Sequence, residues 1–425
     1  MVRSWTVAGV VAASVVLGAC GSSSDSSSDS AGASTTATAA AGPKGTPIKV
    51  GLLVDASGPQ NGGQGGAADV LEAWAKATNA AGGIAKHPVA IEVKDTAGSP
   101  SKAATAAQGL VADKSVAAVV LNDAAADAPA AKPLSAAGLP VIGGNGFNPA
   151  VWGAAPGNKL AKIPQLPNVY GVTAAFPANA APFVTVAKQA GYKTIAALDE
   201  AQNPSSKQAT QLIAGMGKAE GLDFVAGITI DATAPNFTAQ CLQLVQKKVQ
   251  YAALTMPDAT AKRLAADCAR QGYKGAFGAG AALVTPLFYK SLSGNKLMGG
   301  LTGFPWYADT PPVKNYRQVM DDNKVSEDKW ARGDSTAAWA TMELFKKALD
   351  ANAATLSPTV NRADVVAAYG TIKGETLDGL LPGPVTYTKG KPAPAPSCAW
   401  LYGYQDGKFT GTAEPTCPDP RLGVG

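Results

Sequence analysis

The sequence predicts an α/β protein of two parallel-sheet lobes with flanking helices, carried behind an export signal. Three observations predict it. From Ile48 onward short β-rich runs alternate with helical stretches, the order that builds parallel sheets. A Pro-rich, irregular stretch at residues 156–167 divides those runs into two sets, and the first 20 residues carry the profile of a secretory leader.

The leader comes first. Arg3 supplies a positive n-region, residues 7–16 are apolar with small interruptions, and Leu17-Gly18-Ala19-Cys20 closes the run. The apolar run is too short for a membrane span, which takes roughly 20 apolar residues in a helix. Leu-Gly-Ala-Cys resembles the bacterial lipobox, which implies cleavage before Cys20 and lipidation of its sulfur, with residues 1–19 as signal peptide. Residues 20–45 follow with Ser, Gly, Ala and Thr and no large apolar side chain, so they read as a disordered tether.

Residues 46–425 are long enough for two or more domains, and a chain 46% hydrophobic and 16% charged can bury sizeable cores. In the first set, strands are predicted at 48–54, 89–94, 116–121 and 140–143. A helix running through Asn79 places Val70, Leu71, Trp74, Ala77 and Thr78 on one face, with further helices at 101–113 and 129–137. In the second set, strands at 194–198, 224–230, 251–255, 275–278 and 298–304 alternate with helices near 180–190, 205–220, 236–248, 258–271 and 283–292. Helices at 311–322, 334–352 and 361–370 precede a β-rich tail at 385–409.

Composition excludes several classes. A net charge of +5, with Lys and Arg scattered, gives no basic stripe for nucleic acid. His87 is the one histidine, and no H-E-x-x-H, G-x-S-x-G or Walker sequence occurs, which argues against an enzyme. Adjacent acids such as Asp199-Glu200 read as solvated pairs, and Asp334 in Arg332-Gly333-Asp334 as a helix N-cap. No cofactor or metal is expected. Apart from Cys20 there are four cysteines, Cys241, Cys268, Cys398 and Cys417, without a C-x-x-C pair, so an exported chain should hold two disulfides. Three pairings are open, and 241 with 268 and 398 with 417 close the shortest loops.

A family resemblance rests on segments met in order. They are Ile48-Lys49-Val50-Gly51 with Ser57-Gly58-Pro59, then Asn79-Ala80-Ala81-Gly82-Gly83-Ile84, then Ala118-Val119-Val120-Leu121 leading to Gly138-Leu139-Pro140-Val141-Ile142. Asn236-Phe237-Thr238, Gly272-Tyr273, Gly299-Gly300-Leu301 and Leu377-Asp378-Gly379-Leu380-Leu381-Pro382-Gly383-Pro384-Val385-Thr386 complete the series. Behind a lipobox, this order resembles the type I periplasmic-binding fold, in particular the leucine/isoleucine/valine-binding family of ABC-transporter substrate-binding proteins. The resemblance spans residues 48 to about 409. It implies three interlobe crossings, near Tyr170, Trp306 and Ile372, with lobe 1 at 46–170 plus 307–372 and lobe 2 at 171–306 plus 373–425. It also implies a small-molecule ligand in the cleft, ABC permease subunits as partners, a monomer, and a place on the outer face of the cell membrane. A ligand-sensing receptor subunit is the alternative function.

Ligands of open parallel sheets bind beyond the carboxyl ends of strands. On lobe 1 that selects Gln60, Asn61, Gln64, Asn122, Asp123, Ala126, Asn145, Gly146 and Phe147, and on lobe 2 Glu200, Asn203, Asp258 and Gly280, with Trp306 at a crossing. Ordinary turn, cap and packing roles compete for each of these residues. The family's amino-acid binders hold a carboxylate with Ser/Thr in lobe 1 and an ammonium with a lobe-2 acid. Here those positions fall on Ala125, Ala126 and Asp127, and on Gly280. A branched-chain amino acid is therefore disfavoured, and Phe147 and Trp306 favour an aromatic or partly apolar ligand.

Overall fold

The computed structural model describes residues 42–417 except 59–60, 125–126, 145, 147–148, 153–165, 175–177, 392 and 394–395. The leader, Cys20 and most of the tether lie outside the described residues, so those expectations are not addressed by it.

The first sheet takes the strands β1 (Ile48–Val54), β2 (Val89–Asp95), β3 (Val116–Asn122) and β4 (Val141–Gly144) in the order β2-β1-β3-β4, all parallel. Helices α1 (Asn61–Gln64), α2 (Gly66–Ala80), α3 (Pro100–Ala112), α4 (Asp127–Ala136) and α5 (Pro149–Trp152) lie between or after these strands. Every residue of β3 is buried and β1 nearly so, the continuous apolar run that a strand covered on both faces requires. On α2 the predicted face is the buried one, with Val70, Leu71 and Trp74 inside. Helix α3 starts on Ser99, whose side chain accepts from Lys102 N, with Pro100 in the first turn where its missing N–H costs nothing.

The second sheet runs β11-β10-β9-β8-β7-β5-β6. Its strands are β5 (Thr194–Glu200), β6 (Asp223–Ile230), β7 (Tyr251–Thr255), β8 (Ala276–Ala279), β9 (Leu297–Leu301), β10 (Trp400–Gln405) and β11 (Lys408–Gly411). The five strands β5 to β9 are parallel, and β10 and β11 add an antiparallel edge. Helices α6 (Ala181–Gln189), α7 (Pro204–Ala219), α8 (Thr238–Gln246), α9 (Asp258–Arg270) and α10 (Pro286–Tyr289) belong to this half of the chain. Helices α11 (Pro311–Asp322), α12 (Glu327–Trp330), α13 (Gly333–Ala351) and α14 (Arg362–Tyr369) return to the first sheet, where α11 and α12 touch α2, α13 touches α2 and β4, and α14 touches β3.

Four expectations are corrected. The loop after β1 contains the short helix α1, and α12 was not foreseen. The helix expected at 283–292 shrinks to Pro286–Tyr289, because Thr285 caps it and Pro286 has no N–H to extend it backwards. The tail forms a continuous strand only from Trp400, with Val385 bridged singly to Glu375, since the stretch between them is rich in proline and lacks ladder donors. The acid Asp334 does not cap α13: Arg332 occupies the N-cap, and Asp334 lies inside the first turn.

One apolar core runs from the first sheet through Trp74, Tyr170 and Trp339 to Leu198, Leu254 and Phe277 of the second. Each sheet also buries its other face locally, under Ala103, Leu110 and Leu134 in the first and under Phe183, Val184 and Ile213 in the second. Disulfides Cys241–Cys268 and Cys398–Cys417 are both formed, the pairing with the shortest loops. The first ties α8 to α9 and the second ties the start of β10 to the chain after β11.

Candidate ligand cleft

The segments beyond the carboxyl ends of β1 and β3 meet those beyond β7 and β8 at the start of α13. On the first sheet, Asp95 at the end of β2 holds the loop after β1 by accepting from Ala56 N (3.0 Å) and Ser57 Oγ (2.6 Å). That loop delivers α1. Its Gly62 lies so close to α9 of the second sheet that a Cβ there would stand 2.2 Å from Asp258 Oδ1. Arg332, at the N-cap of α13, donates from Nη1 to Gly62 O at 2.5 Å. Beside it, a Cβ on Gly333 would come within 2.9 Å of Ala281 Cβ, just after β8. At both glycines a side chain of the other sheet's half fills the space that a Cβ would need.

Around this junction the buried side chains are polar. Asn122, the last residue of β3, is fully buried and donates from Nδ2 to Gln64 O at 3.2 Å, with a long contact to Asp334 Oδ2 at 3.5 Å. Gln64 in turn accepts from Ala124 N at 3.0 Å. Thr96 donates to Asp123, whose N–H donates to Asp127 Oδ1 at 3.1 Å. On the second sheet Thr260 donates to Glu200 Oε1 at 2.8 Å, and Thr285 donates to Asp258 Oδ2 at 2.9 Å.

Burial governs the charge states. It lifts Asp334 from the usual carboxylate range to about 6, against the opposing pull of Arg332 and of the first N–H groups of α13. Burial, and then the charge of Asp123, push Asp127 well above its ordinary value. Glu200 is also raised by burial, partly offset by the Thr260 hydroxyl. Three acceptor atoms at the first sheet lack a hydrogen-bond partner in this structure: Asn122 Oδ1, Asp127 Oδ2 and Asp334 Oδ1. Among the described residues no group of three or more His, Cys, Asp or Glu could hold a metal ion.

A family model for periplasmic binding proteins matches residues 47–408, nearly the whole body of the chain. The chain belongs to the periplasmic binding protein family. This is a family of binding proteins with an extracytoplasmic location, and among the described residues no helix is long and apolar enough to cross a membrane. Solved structures share the fold at low identity. A fatty acid ABC transporter substrate-binding protein from Thermomonospora curvata is 17% identical over 89% of this chain and 94% of its own, with a TM-score of 0.69. An ABC-transporter solute-binding protein from Rhodopseudomonas palustris HaA2, in complex with p-hydroxybenzoic acid, is 18% identical over 89% and 99%, with a TM-score of 0.67. A leucine-binding protein from Thermotoga maritima is 14% identical over 88% and 99%, also at 0.67. No curated protein matches the chain by sequence.

For this periplasmic binding protein the structure sorts the predicted residues. It brings Gln64, Asn122 and Asp123 together on one edge and Glu200 and Asp258 on the other, all buried. Gln60, Ala126, Asn145 and Phe147 lie outside the described residues, as does the side chain of Asn61. Gly146 sits against Thr173, and Gly280 has the Phe183 ring behind it at 3.5 Å from where a Cβ would stand. Asn203 donates its N–H to Glu200 O at 3.0 Å in the turn before α7. Trp306 is buried edge-on against Tyr307 and Phe409, which is a packing arrangement. Sequence reasoning missed Asp334, Thr260, Thr285 and Gly62. The available signal for the first was the polar run Asp334-Ser335-Thr336 opening an otherwise apolar helix.

Proposed function

We propose that this protein is the substrate-binding lipoprotein of an ABC importer, anchored through Cys20 and closing two lobes on a small organic molecule. Lobe 1 comprises residues 46–170 plus 307–372 and lobe 2 residues 171–306 plus 373–425. The observation that carries the reading is the junction itself, where the carboxyl ends of two parallel sheets face one another across Gly62, Asp258 and Arg332. That is where open α/β sheets bind ligands, and hinge closure is how paired lobes trap them.

The ligand is a small aromatic or partly apolar molecule rather than a branched-chain amino acid. Two features support this. The position of the family's lobe-2 acid is occupied by Gly280, with an aromatic ring behind it, so an ammonium there would go unpaired in a closed cleft. On the opposite edge Asp123 and Asp127 are adjacent buried acids, a poor host for a carboxylate. The solved relatives named for fatty acid and bound to p-hydroxybenzoic acid fit the apolar or aromatic part of that range alone, since both of those molecules carry a carboxyl group.

A thermal-shift screen of the mature protein tests the reading. A ligand that binds only the folded state adds about 2.7 kcal/mol at a hundredfold excess over Kd. Aromatic and partly apolar compounds should shift the melt, and leucine, isoleucine and valine should not. Tight leucine binding would overturn the ligand class. Cys20→Ala should release the protein from the membrane fraction, and retention there would overturn the anchor.

A further inference from the structure

We propose that the first-sheet edge, at Asn122 and Asp334, is a subsite for a protonated amine, so that the captured molecule enters this end of the cleft with a cationic donor and not with an anion. The inference rests on the receptor reading above and names the chemistry of its ligand.

Asn122 is held in one orientation. Its Nδ2 faces two acceptors, Gln64 O at 3.2 Å and Asp334 Oδ2 at 3.5 Å, which fixes the amide and leaves Oδ1 as the atom without a partner. Asp334 Oδ1 is likewise unpartnered, and both side chains are buried, at 0% and 2% exposure. Two neighbouring orphan acceptors ask for a donor, because a buried acceptor left unmade costs its full desolvation. Among the described residues none donates to either atom. Thr96 is spent on Asp123, Thr260 on Glu200 and Thr285 on Asp258. Arg332 donates from Nη1 to Gly62 O, and its charge acts on Asp334 without a hydrogen bond to Oδ1.

An anionic head is disfavoured by the same geometry. A helix N-terminus ordinarily attracts anions, but the first turn of α13 already holds a carboxylate of its own, since the N–H groups of Asp334 and Ser335 support the Asp334 side chain. Behind it stand two more acids, Asp123 and Asp127. An ammonium would meet Asp334 Oδ1 and Asn122 Oδ1 together, pairing one charge and filling both orphan sites. Both atoms are closed off from solvent here, so the amine enters while the lobes are apart.

Three probes sharing one ring test this: benzylamine, benzyl alcohol and benzoate, each titrated calorimetrically into the purified mature protein at pH 7.5. Benzylamine should bind at least tenfold tighter than either of the others, and Asp334→Asn should erase that preference. Benzoate binding as tightly as benzylamine overturns the subsite while leaving the receptor reading intact. So does undiminished benzylamine preference in the variant. If none of the three binds, the subsite is also wrong, and the compound screen described above then decides separately whether the receptor reading survives. The wild-type comparison stands even if the variant fails to fold.

Discussion

The two sheet edges that face each other are built from similar residues and differ in how their hydrogen bonds close. On the second sheet two buried acids have hydroxyl partners, Glu200 with Thr260 and Asp258 with Thr285. On the first, Asn122, Asp127 and Asp334 each keep an acceptor atom unpartnered. A completed edge stabilises the fold, whereas an incomplete one costs stability and makes sense where something else completes it. The two edges should therefore respond oppositely to substitution.

The largest expected effect is at Asp334. Its carboxyl is raised from 3.8 to about 6 in the folded protein, chiefly by burial. A raised value favours folding fully below the unfolded value and loses that contribution as pH rises through about 6, so the charged side chain is a burden at neutral pH. The burden is of the order of 3 kcal/mol, given about 1.4 kcal/mol for each pH unit. Asp334→Asn should accordingly stabilise the unliganded protein at pH 7.5 by up to about 3 kcal/mol and leave it little changed at pH 4. Urea unfolding across that range checks the sign. Asp127 and Glu200 are raised in the same direction and remain in the variant, so a residual slope is theirs. A variant less stable than wild type at pH 7.5 would remove the contrast between the edges.

On the second sheet Thr285→Val should do the reverse. It strips the buried Asp258 of its donor and removes the cap from α10, where Thr285 Oγ1 accepts from Phe288 N. An orphaned buried acceptor costs about 1–3 kcal/mol and a lost cap about 1. The expected loss is therefore about 2–4 kcal/mol in the same unfolding experiment. Thr260→Val is milder, at about 1–2 kcal/mol, because it disturbs the Glu200 contact alone and takes no cap with it. Equal or smaller losses than at surface controls would mean that these hydroxyls are incidental.

This contrast was only half legible in the sequence. Strands β1 and β7 were read to the residue because their limits coincide with continuous apolar runs, and the disulfides followed from loop length once export was assumed. Asn122 and Glu200 are legible as strand ends for the same reason. What escaped came from tertiary placement. Asp334 looks like a cap because helix starts favour acids, yet the turn ahead of it puts Arg332 in that position and packs Asp334 inward. Thr260 and Thr285 are ordinary helix-start residues whose partners lie 60 and 27 positions away along the chain. At Trp306 the sequence does not announce the ring packing: Tyr307 and Phe409 stand edge-on against it, with Tyr404 against Phe409 in turn.

The smallest effect on stability is expected at Gly62, where the two edges touch. Gly62 lies in the short helix α1, so alanine there should help the local conformation by roughly 1 kcal/mol. In the closed arrangement the added Cβ would stand 2.2 Å from Asp258 Oδ1. That carboxylate is buried and held by Thr285, so it cannot swing aside without giving up its hydrogen bond. Overpacking of this kind costs about 1–3 kcal/mol. The two terms oppose each other in the unliganded protein, and the melt should move little. Ligand binding draws on the closed state alone, so the best compound from the screen should bind Gly62→Ala about tenfold more weakly, or about 1.4 kcal/mol. Calorimetry gives that ratio, and small-angle scattering with and without ligand shows whether the lobes still come together. Wild-type affinity in Gly62→Ala would mean that the edges trap their ligand without this contact, and closure would then have to be sought around Gly333 and Ala281.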